Sequence, residues 1–341
     1  MSIKRKVFHQ AVIANQSIGG ANASKAARRR HFKEFLDYLV GQGSVISSLN
    51  AIHGLMLKGY ADWLSMEDKN STGTIGNKMS SIRRILKAAG VPIEGKDMSK
   101  NSDLGISPRS RKGKKEPISD AHFQAVIDKA SAAGELGFVH CVNLERYLGL
   151  RGQEAMMSTA ALLQYAQEAR LIIDVWGTEA IRIFDGAKGG RPRNTTVIVK
   201  FARETLYAIQ GALKFASQNG GFLIQGHGKG LKSAKNKYHR LAKAFGLTGK
   251  FAPHSLRYRF ACDKLEELRE HGVPRAEALA YVSRWLGHGS GRGRWISLVY
   301  GRTVVHSLQK TTRAKTQAAV LAKLDALISE SWSPSSTIGV R

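Results

Sequence analysis

Apolar side chains in the first hundred residues recur at intervals of three and four: Phe32, Phe35, Leu36 and Leu39, then Leu55, Leu57, Tyr60, Ala61 and Leu64, then Ile75, Met79, Ile82, Ile85 and Leu86. That spacing puts each group on one stripe of a helix, so this part of the chain is expected to be wholly helical. Arg28, Arg29, Arg30, Arg83, Arg84 and Lys87 flank the stripes. Residues 99–116 break the pattern. They are polar, basic and nearly free of large apolar groups, which reads as a linker unable to pack a core. Pro117-Ile118-Ser119-Asp120 then opens another helix, with Ser119 or Asp120 as its cap before Phe123, Val126 and Ile127.

Further along, Ile181–Phe184 and Thr195–Val199 are strand-like runs on either side of Gly189-Gly190, which predicts a small antiparallel sheet around residues 170–200. Near the end, Ala318, Ala319, Val320, Leu321, Leu324, Leu327 and Ile328 form one more helical stripe, and Ser329–Arg341 reads as a disordered tail. The fold class is therefore mainly α. A length of 341 residues suggests two domains.

Charge narrows the choice of partner. The chain has 53 Lys and Arg against 26 Asp and Glu, a net +27, together with 43% hydrophobic residues. A chain so composed can bury a core while carrying a strong positive field, which suits a polyanion whose counterions are released on binding. The surplus is not confined to a tail, because residues 1–116 hold 21 basic and 9 acidic side chains. The start of the chain is too polar for a secretory signal, and no apolar run reaches the length of a membrane span. A soluble, cytoplasmic protein is expected, nucleoid-associated when on DNA. Cys141 and Cys262 lack companions at metal spacing and read as buried thiols.

The candidate chemistry lies in six residues: Arg151, Lys188, His254, Arg257, His288 and Tyr300. His254 and Arg257 share the run His254-Ser255-Leu256-Arg257, whose three-residue step projects both from one face of a helix. A phosphodiester repels an attacking oxygen until cations neutralise its non-bridging oxygens. Arginine suits that task because its planar fork stays protonated and matches phosphate oxygens two at a time. Tyrosine supplies a nucleophile that leaves a covalent link.

The order of these residues resembles the tyrosine recombinases, the phage and mobile-element integrase family. Its signature is Arg, Lys, His-x-x-Arg, His or Trp, and Tyr. Gly149-Leu150-Arg151-Gly152-Gln153-Glu154 looks like the family's first arginine motif, with Glu154 in its supporting acidic slot. Lys188, in Ala187-Lys188-Gly189-Gly190-Arg191-Pro192-Arg193, resembles its hairpin lysine, with Arg191 and Arg193 as rivals. The stretch from His288 to Tyr300 is longer and richer in glycine than usual, which leaves open where Tyr300 rests. Tyr258 and Tyr281 are the nearby rivals, each in the wrong order.

The resemblance implies a basic segment at 1–25, a helical, SAM-like core-binding clamp at 26–98, a linker at 99–116, a mostly helical catalytic domain at 117–311, and a C-terminal helix and tail at 312–341. It also implies cleavage and rejoining of DNA at specific sites through a 3′-phosphotyrosine, with neither ATP nor metal, by a homo-tetramer on synapsed double-stranded DNA. In that scheme Arg151, Arg257 and His288 hold the phosphate, His254 takes the tyrosine's proton and Lys188 protonates the leaving oxygen. Expected DNA contacts are Arg28, Arg29, Arg30, Arg83, Arg84, Lys87, Arg111, Lys112, Lys114, Lys115, Arg191 and Arg193.

Two other functions fit parts of the pattern. A non-catalytic, architectural DNA-binding protein on a recombinase scaffold accounts for the charge but leaves the six residues unexplained. A type IB-like topoisomerase uses similar residue types. Gly190-Arg191-Pro192 also matches the core of a minor-groove hook, though between two strand-like runs it reads better as a turn. The glycines at 287, 289, 291 and 293 lack the Lys-Ser/Thr ending of a nucleotide-binding loop. No third ligand accompanies His254 and His288 at metal spacing.

Overall fold

The structure is a computed structural model that describes residues 3–66, 70–92, 100–108, 115–174, 180–228 and 230–300. Arg111, Lys112 and Lys114, and the helix expected at 312–341, lie outside the described residues. The chain divides into two compact units, 1–110 and 111–341, and is mainly α-helical. Among the described residues no helix is long and apolar enough to cross a membrane.

The first unit consists of α1 (Ile3–Ser17), α2 (Asn22–Gly41), α3 (Gly54–Met66) and α4 (Thr72–Ala88). Its core is made by the expected stripes. Phe32, Phe35, Leu36 and Leu39 of α2 meet Leu57, Tyr60, Ala61 and Leu64 of α3 and Ile75, Met79, Ile82, Ile85 and Leu86 of α4. Leu55 is the exception, 76% exposed. It sits two residues before Leu57, on the opposite side of the helix from the i, i+3, i+4, i+7 stripe. Ser71 starts α4 by accepting the Thr74 N–H at 3.2 Å.

Three expectations for this unit change. The first 25 residues contribute to its core, because α1 buries Val7, Ala11 and Ala14. Arg28 is buried rather than presented to a partner; its Nε donates to Asn15 Oδ1 at 2.6 Å and its Nη2 to the Gly19 carbonyl at 2.7 Å, tying α2 to α1 and the turn between them. Leu104 and Ile106 are buried in the same core, so the packed chain continues past residue 98, and Arg83 bonds to Asn101 there. Two apolar side chains suffice to anchor a stretch whose composition is otherwise that of a tether. Arg29, Arg30, Arg84 and Lys87 are exposed.

The second unit runs through α5 (Asp120–Ala132), α6 (Leu136–Leu148), α7 (Gly152–Met157) and α8 (Leu162–Asp174) to a two-stranded antiparallel sheet. Ser119 is the cap of α5, accepting from the His122 N–H. Strand β1 (Ile181–Ile183) pairs with β2 (Arg193–Thr195) in the register Ile181↔Thr195, Arg182↔Asn194, Ile183↔Arg193. Then follow α9 (Ala202–Gln218), α10 (Leu231–Ala244), α11 (His254–Glu270), α12 (Arg275–Trp285) and α13 (Gly293–Val299).

The second strand forms earlier than the β-branched run Thr195–Val199 suggests. Side chains of α11 take up the backbone of that run's latter part: Lys264 Nζ donates to the Val197 carbonyl at 2.7 Å, and Glu267 Oε2 accepts the Val199 N–H at 2.8 Å. Val197 and Ile198 are thus buried without being paired in the sheet.

Candidate active site

Arg151 is placed by a tight change of direction between α6 and α7. Gly149 ends α6 at φ +58°, and a Cβ there would come within 2.5 Å of the Phe260 ring, so this turn requires glycine. Arg151 then caps α7, and Glu154 on its first turn accepts the Arg151 backbone N–H at 2.8 Å. Glu154 is fully buried and also binds the Arg151 Nη1 and the Arg193 guanidinium, the latter with Nη2 at 2.6 Å. Burial pushes this carboxyl upward, but Arg193, Arg151 and Arg257 outweigh it and hold it down at about 2.

Arg257 extends from the first turn of α11 and is fully buried. Its Nη1 donates to the Gly149 carbonyl and its Nη2 to the Leu286 carbonyl, which also accepts from Arg151 Nη2 at 3.2 Å. Burial and the neighbouring Arg193 and Arg151 lower Arg257 to about 9, so it stays protonated at neutral pH. Burial drives Glu145, also buried, up to about 8 and keeps it protonated at neutral pH, hydrogen-bonded by Tyr238. Three guanidiniums therefore face the single ionised carboxylate of Glu154. The surplus of positive charge suits an anion.

Tyr300 follows α13 and is 1% exposed. Its hydroxyl lies 3.0 Å from His254 Nε2 and 3.2 Å from His288 Nε2. The glycine-rich spacer does not hold it away, because residues 290–292 form a 3-10 turn that leads directly into α13. Trp295 on α13 packs edge-on against His288 at 4.3 Å between ring centroids and against Tyr300 at 5.2 Å. Tyr258 lies beneath, its ring 4.5 Å from that of Tyr300. Tyr281 is apart from this group, stacked on Trp285.

Both histidines are weak bases here. Packing around the His254 ring withdraws it from water, and Arg257, Arg151 and Lys115 repel a further charge, lowering it to about 4. Burial and then Arg257, Arg151, Arg292 and His254 lower His288 to about 3. At neutral pH each ring is uncharged, so one Nε2 can accept the tyrosine's proton while the other donates to its oxygen.

The structure thus brings together Arg151, Glu154, His254, Arg257, His288 and Tyr300. Lys188 stands apart, exposed in the 188–190 turn between β1 and β2, and forms no hydrogen bond or ion pair among the described residues. Arg191 is exposed beside it. Arg193 overturns its expected role as a DNA contact, because it is 7% exposed and bound to protein acceptors. Its place was readable in the alternation Arg193, Thr195, Val197, which faces inward. Lys115 donates to the Gly249 carbonyl at 2.5 Å. The sequence reading also passed over α10, where Lys232, His239, Arg240 and Lys243 are exposed. Among the described residues no group of three or more His, Cys, Asp or Glu side chains is arranged to hold a metal. Cys141 and Cys262 are buried thiols, and Cys262 Sγ donates to the Tyr300 carbonyl at 3.3 Å.

A model of the integrase family matches residues 105–263, a span that includes Arg151, Glu154, Lys188, His254 and Arg257. Over that span the chain is similar to the integrase family. Of solved structures, the chain is similar in fold to the Tn1549 transposon integrase in complex with transposon right end DNA, at TM-score 0.55 and 14% identity, over 94% of this chain and 99% of that one. It also aligns with XerA recombinase at TM-score 0.33 and 15% identity, over 94% of this chain and 98% of that one. Comparison with curated proteins finds no match. His288 and Tyr300 lie beyond the span the family model matches.

Proposed function

We propose that this chain is a site-specific DNA recombinase or integrase that cuts and rejoins double-stranded DNA through a 3′-phosphotyrosine on Tyr300. The observation that carries the reading is the Tyr300 hydroxyl, within hydrogen-bond reach of both His254 and His288 and beside the Arg151–Arg257 pair. Arg151, Arg257 and His288 bind the non-bridging oxygens and stabilise the charge that grows in the pentavalent transition state. As the tyrosine oxygen bonds to phosphorus, its proton passes to His254. The bond to the 5′-oxygen breaks, and Lys188 on its exposed turn protonates that oxygen.

Attack by the 5′-hydroxyl of a partner strand reverses the step and restores the phosphodiester. Because the phosphotyrosine conserves the energy of the original bond, the scheme calls for no ATP. The DNA in the Tn1549 integrase complex supports a duplex as the partner, as does the net +27 charge. We assign the exposed cations of α10 to its backbone. Exchange between two duplexes calls for several protomers, four in the simplest arrangement.

The test is a nicked duplex that loses the leaving strand after cleavage. Wild-type protein should form a DNA adduct stable to denaturant, and Tyr300→Phe should abolish it with duplex affinity nearly unchanged. An adduct that persists in that variant and maps to Tyr258 or Tyr281 would sink the assignment.

A further inference from the structure

Arginine has five N–H donors, and the bonds made by Arg193 account for all of them. Nε donates to the Glu154 carboxylate at 3.1 and 3.2 Å; Nη2 donates to Glu154 Oε2 at 2.6 Å and to the Gly149 carbonyl at 3.1 Å; Nη1 donates to the Trp285 carbonyl and, at 3.4 Å, to that of Asn194. No donor is left for a phosphate. Yet this side chain reaches the segments that present Arg151 and His288: the Gly149 turn before Arg151, the Glu154 carboxylate that orients Arg151, and the end of α12 just before Gly287-His288.

The contacts close into a ring. Arg193 and Arg151 share Glu154, Arg151 and Arg257 share the Leu286 carbonyl, and Arg257 and Arg193 share the Gly149 carbonyl. Gly287, at φ +67°, lies against the Arg193 side chain so closely that a Cβ would stand 2.7 Å from its Cδ. The ring is anchored in the sheet, because Arg193 lies on β2 opposite Ile183. A shift of β2 therefore moves Glu154 and the residue 285–287 turn together.

We propose that Arg193 is a positioning residue that sets the distance between Arg151 and the turn carrying His288, and so the width of the phosphate site. The inference rests on the phosphotyrosine reading. Lysine cannot replace it, since a single ammonium cannot span Glu154, Gly149 and Trp285 at once.

The experiment compares wild type with Arg193→Lys and Arg193→Gln. On the nicked duplex at saturating DNA, adduct formation in a single turnover should slow about 100-fold, the scale expected when reacting groups are misplaced by about an ångström. Duplex affinity and its salt dependence should stay as in wild type. Thermal unfolding against pH gives a readout independent of activity. With Arg193 gone, Glu154 loses its main partner and its folded value moves back toward the ordinary 4.5, so the part of the stability that wild type loses between about pH 4.5 and pH 2 should shrink, and adding Glu154→Gln should remove that difference.

Unchanged adduct rates in both variants would overturn the proposal. So would weaker binding with a shallower salt slope, which would make Arg193 a phosphate contact, or a lowered melting temperature with both the rate and the pH dependence unaltered. Should Arg193→Gln fail to fold, Arg193→Lys carries the comparison. A wild-type protein that forms no adduct refutes the phosphotyrosine reading instead, and the acid-unfolding comparison still shows whether Arg193 orders Glu154.

Discussion

His254 and Tyr300 are joined by a 3.0 Å contact between Nε2 and the phenolic oxygen, across 46 residues of chain. Two short elements make it possible. α11 begins at His254, and α13 ends one residue before Tyr300. The histidine is uncharged at neutral pH, so it is prepared to take a proton when the tyrosine attacks. His254→Gln should therefore slow adduct formation on the nicked duplex far more than it weakens binding. Equal losses in the two measurements would make His254 a binding group only.

Arg151 and Arg257 give a second expectation. Arg151→Ala and Arg257→Ala should each reduce the cleavage rate by roughly 100- to 1,000-fold, the usual cost of removing one donor from such a site. Their stabilities should differ. Arg257 is fully enclosed and donates to two main-chain carbonyls that keep only Arg193 and Arg151 once it is gone, so its loss should lower stability more than loss of Arg151, which is partly solvated. Thermal melts of the two variants measure the difference.

Glu145 predicts a stability that falls between about pH 4.5 and pH 8. Its folded value of about 8 lies above the ordinary 4.5, so the native state holds a proton that the unfolded chain releases. The stability this contributes is complete below about pH 4.5 and is lost as pH rises through about 8, by several kcal/mol at most. Glu145→Gln should flatten that slope. The histidines act at the other end. With folded values of about 4 and 3, His254 and His288 make the protein less stable as pH falls below about 6.5. Chemical unfolding at a series of pH values tests both signs, and an unchanged slope between about pH 4.5 and pH 8 in Glu145→Gln would refute the first.

On α10, Lys232→Ala, Arg240→Ala and Lys243→Ala should weaken duplex binding across all sequences and each lower the slope of log K against log salt by about one where a phosphate contact is lost. A slope equal to wild type in all three would remove α10 from the interface.

A recombinase and a relaxing topoisomerase part company over paired sites. Strand exchange should require two duplexes bearing the protein's own site and pass through a four-way junction, with weak relaxation of arbitrary supercoiled DNA. Strong relaxation without junctions would favour the topoisomerase reading.

Periodicity made the helical stripes of the first unit legible, because a 3.6-residue repeat reports local geometry. Phe32, Tyr60 and Ile82 are buried where that repeat puts them. It could not reveal Arg28 as a buried strut, nor the acceptors that hold Arg193, since the sequence shows only their charge and not the groups that fold around them. The grouping of Arg151, His254, Arg257, His288 and Tyr300 was readable from residue types and order. The carbonyls of Gly149 and Leu286 were not, because a main-chain oxygen leaves no mark on the amino-acid alphabet.

That last feature bears on how the site tolerates genetic change. The oxygens that seat Arg257 belong to the peptide thread, present whatever side chain occupies position 149 or 286, so no simple deletion of a side chain removes them. Drift can reach them only by bending the backbone, and at position 149 nearly every codon change does so, since even alanine meets Phe260 and must adopt a left-handed φ. The seat of Arg257 is thus buffered against most single-letter errors and acutely exposed to one class, loss of the glycine at position 149.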